Sequence, residues 1–186
     1  MDLHTEPLSL LKKRKTLAHI TDLLNAAGID YVVGGSGMLL GLQLTNDIRD
    51  WDLMTDAAES EVSEALAGVA FTVDRERSEL YASGCKLQIQ HTVPEVEIII
   101  GFSLYAEGQV CKMPALSGGV REGLPIASPE VWWTAYTLMG RHEKAELLAH
   151  YLNQHGADQQ AIERLIEEPL PEQLVRKLEQ FPTFLK

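Results

Sequence analysis

Sulfur, aromatic rings and positive charge are all scarce in this chain. Its 186 residues include 2 cysteines and 6% aromatic residues, and 16 Lys and Arg stand against 27 Asp and Glu, a formal net charge of −11. Cys85 and Cys111 lack CxxC spacing and are too few for a disulfide scaffold. No apolar run approaches the ~18 residues of a membrane span, and no signal-peptide pattern appears. A soluble protein of a reducing cytoplasm, with no membrane partner, is the expectation. The shortage of basic residues works against duplex DNA, because an acidic surface repels a polyanion unless its cations are gathered locally. Repeats and low-complexity tracts are missing too. What remains, with 45% of residues hydrophobic, is enough to bury a core in one compact domain carrying a helical appendage.

Hydrophobic spacing organises the chain into an α/β (α+β) class. Leu10, Leu17, Ile20, Leu24 and Ala27 recur at helical steps over residues 8 to 27, and Gly28 stops the helix. Its Lys12-Lys13-Arg14-Lys15 run reads as a solvated face, with a local nucleic-acid contact such as a tRNA end as the sharper reading. A short strand at 30 to 33 leads through Gly34-Gly35-Ser36-Gly37 into a helix from Met38. A second strand spans 50 to 54 and a helix 57 to 68. Three β-like runs come next, at 70 to 74, at 79 to 90 with a break at Ser83-Gly84, and at 95 to 100. The order predicts a mixed β-sheet flanked by helices. Beyond a loose boundary near 125 the texture turns helical. Ser128-Pro129-Glu130 is a helix start, and Gly156 and Pro169 punctuate three more helical segments. The expected division is therefore 1 to 125 as the α/β core and 126 to 186 as a helical C-terminal region.

Candidate chemistry concentrates on Asp50 and Asp52. Alternation along a strand points both carboxylates to one face and sends Trp51 and Leu53 to the other. Two carboxylates about 7 Å apart raise each other's pKa unless a cation lies between them. Hard oxygen ligands of this kind suit Mg²⁺ or Mn²⁺, which keep sites for water and substrate phosphates. Glu97, inside the apolar strand Val96 to Ile100, is costly to bury unless it is paired, hydrogen-bonded or metal-bound. It is the preferred third acid, and Glu95, at the beginning of the same strand, is the alternative. Gly34, Gly35 and Ser36 join a strand to a helix amino terminus, where free N–H groups and the helix dipole favour phosphate. His91, His142, His150 and His155 have no paired ligand spacing, so no zinc site is expected.

Taken together, Val33-Gly34-Gly35-Ser36, then 13 residues, then Asp50-Trp51-Asp52-Leu53, then Val96-Glu97-Ile98 resemble the nucleotidyltransferase superfamily related to DNA polymerase β. The similarity is greatest to the small bacterial nucleotidyltransferases that include aminoglycoside and lincosamide modifiers and abortive-infection toxins. Leu124 to Glu130 and Gly140-Arg141 resemble the loop-to-helix junction of those proteins, and the resemblance covers about residues 28 to 150. It implies transfer of a nucleoside monophosphate from an NTP such as ATP to an acceptor, with pyrophosphate leaving. Asp50, Asp52 and Glu97 would hold the metal ions, and Gly34, Gly35 and Ser36 would grip the triphosphate. The acceptor could be a small molecule, a protein or an RNA end. A non-catalytic nucleotide- or partner-binding member of the same fold is the alternative.

This chain departs from that pattern in three places. The third acid is Glu rather than Asp, the helix Val131 to Tyr136 contains no Lys, and an Arg-x-Lys-Asp pattern has become Arg141-His142-Glu143-Lys144. Lys144 and Arg141, spaced i, i+3 on one helical face, either form a solvated face or reach a triphosphate across the cleft. Arg49 is expected to face away from Asp50 as a surface charge. Of the neighbouring Trp132 and Trp133, one should pack in the core and the other at a rim. Asp47 offers one more carboxylate before the strand.

Overall fold

The structure is a computed structural model that describes residues 8–183, with side chains from Arg14 onward. The Leu10, Lys12 and Lys13 side chains therefore lie outside the described residues. Arg14, from the same basic run, is ion-paired with Glu122.

Among the described residues a seven-stranded mixed sheet and a hairpin are surrounded by seven helices. The opening helix α1 (Leu8–Ala26) precedes β1 (Val32–Val33), α2 (Gly35–Gly41) and β2 (Asp50–Thr55). Next come α3 (Glu59–Ala65), β3 (Phe71–Asp74), β4 (Cys85–Ile89) and β5 (Glu95–Ile100), then β6 (Ser103–Ala106), β7 (Gln109–Lys112), β8 (Ser117–Arg121) and β9 (Leu124–Ala127). Four helices close the chain: α4 (Pro129–Leu138), α5 (His142–His155), α6 (Gln159–Ile166) and α7 (Glu172–Glu179). The sheet order is β3-β4-β5-β2-β1-β9-β8, with β2 parallel to β5 and β1 parallel to β9. The mixed α/β architecture predicted from periodicity is the one observed.

Strand β2 divides its residues between two faces of the sheet. Trp51 and Leu53 are buried at 1% and 0% exposure in a cluster with Leu17, Ile20 and Leu24 of α1 and Val62 of α3. Their spacing in α1 gives one apolar stripe, and strand alternation gives the matching sheet face. On the opposite face, Met54 and Ile99 join a second cluster that runs through Trp132 and Leu148 to Leu178. Asp50 and Asp52 share that second face and are partly buried there. In register, Asp52 lies beside Glu97 and Asp50 beside Glu95.

Several boundaries differ from the sequence expectation. Helix α2 begins at Gly35 rather than Met38, so the glycine run is itself the first turn. Within the expected strand at 79 to 90, only Cys85–Ile89 is in the sheet, and Tyr81 makes a single bridge to Leu104. Strands β6 to β9 are not among the elements expected from periodicity. The β6–β7 hairpin turns at Glu107-Gly108, both with positive φ, a two-residue turn of the kind that matches sheet twist. The edge strand β8 is rich in Gly and polar residues and carries little hydrophobic alternation. Position 125 falls inside β9, so the change of texture there is from sheet to helix across one continuous apolar cluster.

Helix α4 is fixed at its start by a buried polar knot. The Ser128 hydroxyl caps the helix by accepting from the Val131 N–H, and donates to Glu130 Oε2 at 2.6 Å. Glu130 Oε1 accepts from the Asp158 N–H at 2.7 Å, bracing α4 against the beginning of α6. Glu130 is 3% exposed, so removing it strands a donor out of water. We expect Glu130→Ala to lower unfolding free energy by about 2–3 kcal/mol, read from urea unfolding, with Glu130→Gln closer to wild type.

Candidate active site

Two close approaches build the site. The Gly34 N–H donates to the Asp52 carbonyl at 2.8 Å, extending the β1–β2 ladder into the glycine run. A Cβ at Gly34 would stand 2.3 Å from Trp132 Cζ2, and one at Gly35 would stand 2.0 Å from Asp52 Oδ2. Gly35 also has φ +53°, a left-handed conformation that a side chain resists. The first glycine therefore lets α4 lie against the turn, and the second lets the turn lie against the Asp52 carboxylate. The Ser36 hydroxyl sits 3.5 Å from the Asp50 carbonyl oxygen.

The resulting cleft has a volume of about 1010 Å³, and Gly35, Ser36, Asp50, Asp52, Glu97 and Lys144 all line it. Five of the chain's 16 basic residues gather there too: Arg49, Arg77, Lys86, Arg141 and Lys144. They stand among six carboxylates of the same lining, Asp47, Asp50, Asp52, Asp74, Glu76 and Glu97, so the cleft is close to charge balance in a molecule of net charge −11 and its cations are available to an anion once the aspartates are neutralised.

Electrostatics single out Asp52. Burial pushes its carboxyl up from 3.8 to about 7, and the charges of Asp50 and Glu97 add to the rise, against partial relief from Lys144 and Lys86. Glu97 is 20% exposed by side chain and already has partners. It accepts from Gln88 Nε2 at 3.0 Å and pairs with Lys86 Nζ at 3.6 Å. Both partners come from β4, which runs antiparallel to β5 and places Gln88 directly across from Glu97.

The wall facing the aspartates belongs to α4 and α5. Trp132 donates through Nε1 to Met54 Sδ at 3.2 Å, and its ring packs on Tyr136 with centroids 5.1 Å apart. Lys144 Nζ lies 5.3 Å from the centroid of the Tyr136 ring. Burial, and then Arg141, lowers the Lys144 pKa, while Asp52 and Asp50 raise it. Burial and the Asp52 charge drive the Tyr136 phenol upward, so it stays protonated. Both cysteines are buried; Cys85 belongs to the cleft lining, and burial, with Glu59 beside it, pushes its thiol up to about 11.

The cleft thus brings together Asp50, Asp52, Glu97, Gly35, Ser36 and Lys144, with Gly34 beside them in the turn. Glu95 is exposed and is not part of the lining. Arg49 does line the cleft, contrary to the expectation that it faces away. It precedes β2, so strand alternation does not govern it. Asp47 is a lining residue as well. Trp132 and Trp133 are both buried, at 4% and 6% exposure, and neither is a rim residue. Tyr136 and Lys86 are site residues that sequence reasoning misses. Helical spacing from Trp132 to Tyr136 was the available signal for the first, and cross-strand register, invisible before pairing is known, for the second.

The three carboxylates line one cleft without forming a closed ligand cage, and among the described residues no three acidic, His or Cys side chains converge to hold a metal. The aspartate pair still fits a divalent cation. Burial first, and then the charges of Asp50 and Glu97, disfavour ionised Asp52, a cost that a bound cation would offset, and Mg²⁺ needs only one or two carboxylates when phosphates and water complete its shell.

The strand order and helices of this chain are those of a nucleotidyltransferase-like fold. Comparison with solved structures agrees. The chain aligns with a candidate nucleotidyltransferase of Thermotoga maritima at TM-score 0.57 and 24% identity, covering 82% of this chain and 98% of that one. It aligns with the antibiotic-resistance factor ANT(2'')-Ia at TM-score 0.51 and 14% identity, covering 81% and 87%. No family model and no curated protein matches the chain.

The Asp52 shift has a thermodynamic consequence. With its folded pKa near 7 and its ordinary value at 3.8, the folded chain holds a proton that the unfolded chain releases between those values. Stability without divalent metal should therefore fall as pH rises from about 4 to about 7, by on the order of 2–4 kcal/mol. Asp52→Asn should remove this dependence and melt above wild type at pH 8. Thermal denaturation from pH 4 to 8 in EDTA checks both.

Proposed function

We propose that this chain is a metal-dependent nucleotidyltransferase, moving a nucleoside monophosphate from an NTP to an acceptor hydroxyl with pyrophosphate as leaving group. The observation that carries the reading is the pairing of Asp50 and Asp52 on one strand face, with Gly35 so close to Asp52 that no side chain fits between them. Asp50 and Asp52 would hold a divalent ion, which would supply positive charge against the negative charge that develops on the attacking and leaving oxygens.

The chain's own residues position the groups. Backbone N–H groups at Gly35 and Ser36, with the Ser36 hydroxyl, face the polyphosphate. Lys144 supplies a cation opposite the aspartates, and Arg49 and Arg141 extend the positive lining. The buried aromatic wall of Trp132 and Tyr136 excludes water from that side. Glu97 is the third acid in this scheme and would help hold the ion beside Asp52, its neighbour in register, with Lys86 and Gln88 fixing its carboxylate. The cleft volume of about 1010 Å³ matches the size range of ligand sites. The aspartates and the gathered cations favour an anionic, metal-bound donor. They do not select among a small-molecule, protein or RNA-end acceptor.

A second reading has its own observation. Because Glu97 is engaged by Lys86 and Gln88, the chain could bind a nucleotide or partner without turnover.

Calorimetric titration of each NTP in Mg²⁺ and in EDTA tests the reading. We expect binding in Mg²⁺ that EDTA removes and that Asp50→Asn/Asp52→Asn abolishes. Absence of binding by all four NTPs to folded protein overturns the enzyme reading. Pyrophosphate release then separates the two readings. On the catalytic reading Glu97→Gln slows release by about 100-fold or more with nucleotide affinity nearly retained, whereas a non-catalytic member releases no pyrophosphate with any acceptor supplied.

A further inference from the structure

Tyr136 has a buried hydroxyl with nothing to bind. The residue is 2% exposed, and its oxygen, shielded from water, has no hydrogen-bond partner among the described residues. Such a group is costly in a folded protein, and its persistence in a cleft wall calls for an acceptor that arrives from outside. The ring lies on the lining of the cleft that holds Asp50, Asp52 and Ser36. Over it stands the Lys144 ammonium, half-buried and making no ion pair among the described residues. A neutral donor and an unpaired cation, side by side, face the two aspartates.

We propose that the Tyr136 hydroxyl is a ligand of the nucleotide's polyphosphate, donating a hydrogen bond to a non-bridging phosphate oxygen that Lys144 neutralises. This assignment rests on the nucleotide-binding reading above and names a residue that reading does not need. The chemistry selects phosphate over other occupants. A neutral acceptor hydroxyl would satisfy Tyr136 and leave the ammonium unpaired, and a cationic group would be repelled by it. A phosphate oxygen answers both, and it is the group that a cation on Asp50 and Asp52 brings to this place. Because the ammonium lies over the ring, drawing it toward the phosphate clears the approach to the hydroxyl. The ring acts as a platform for Lys144 through cation–π attraction, and the hydroxyl supplies the second contact. The helix Val131 to Tyr136 has no lysine of its own, and the pair spanning α4 and α5 provides the positive charge from the neighbouring helix.

Tyr136→Phe isolates the hydroxyl, since the ring and its contact with Trp132 are kept. Without added ligand the variant should melt at or above the wild-type temperature, because an unsatisfied buried donor has been deleted. In isothermal titration with ATP, GTP, CTP and UTP, and separately with inorganic pyrophosphate, all in Mg²⁺, the variant should bind pyrophosphate and the preferred NTP about tenfold more weakly. Unchanged affinity overturns the assignment, as does a loss seen with the NTP and not with pyrophosphate. A lower melting temperature also counts against it, by showing that the hydroxyl serves the fold. If wild-type protein binds neither any NTP nor pyrophosphate, the nucleotide reading falls and this one with it. If wild type binds and Tyr136→Phe binds equally, this one falls alone.

Discussion

The burial of Asp52 beside a second carboxylate, Asp50, is the constraint around which the cleft is arranged. Two carboxylates on one strand face, with burial holding Asp52 near neutrality in its titration, store unfavourable free energy that a simple structural role would not require. Neighbouring elements accommodate that charge. Gly35 brings the backbone to the Asp52 carboxylate and Gly34 brings it to Trp132, with no side chain between, Lys144 leans in from α5, and Lys86 and Gln88 hold Glu97 from β4. The apolar half of the same strand, through Trp51 and Leu53, anchors the arrangement to α1 and α3.

Much of this was legible in the order of residues. Period-two alternation in Asp-Trp-Asp-Leu defined the two faces of β2, and helical spacing defined α1 and the beginning of α4. Gly34 and Gly35 were legible as a turn, yet their packing role was not, because the tryptophan and carboxylate they accommodate approach from 98 and 17 positions further along. Glu97 could be singled out as a carboxylate in an apolar strand. Its engagement by Lys86 and Gln88 depends on antiparallel register with β4, which no local pattern encodes. The same holds for β8, whose polar edge lacks alternation, and for Arg49, which precedes the strand whose alternation would have oriented it.

The helical region is more than an appendage. Its first helix is seated by the Ser128 cap and the buried Glu130, which also accepts from the start of α6. Seating α4 in turn places Trp132 against Gly34 and Tyr136 in the wall opposite the aspartates, and α5 brings Lys144 over Tyr136. Sheet and helices therefore each contribute one half of the cleft: acids from the sheet, the aromatic wall and Lys144 from the helices. That division explains why the change of sequence texture near 125 marks no structural break.

The pairing of β2 with β5 residue for residue, Trp51 with Val96 and Asp52 with Glu97, carries an implication for how this chain can change over evolutionary time. A strand that slips by one residue exchanges its two faces. Here such a slip of β2 would drive Asp50 and Asp52 into the oil between sheet and α1 and expel Trp51 from it; a slip of β5 would do the same to Glu97. The carboxylates that face the cleft thus proofread the alignment of the two central strands. Substitutions that blunt their charge would remove a penalty against misassembly as well as a ligand, so selection on the chemistry and selection on correct folding act through the same atoms.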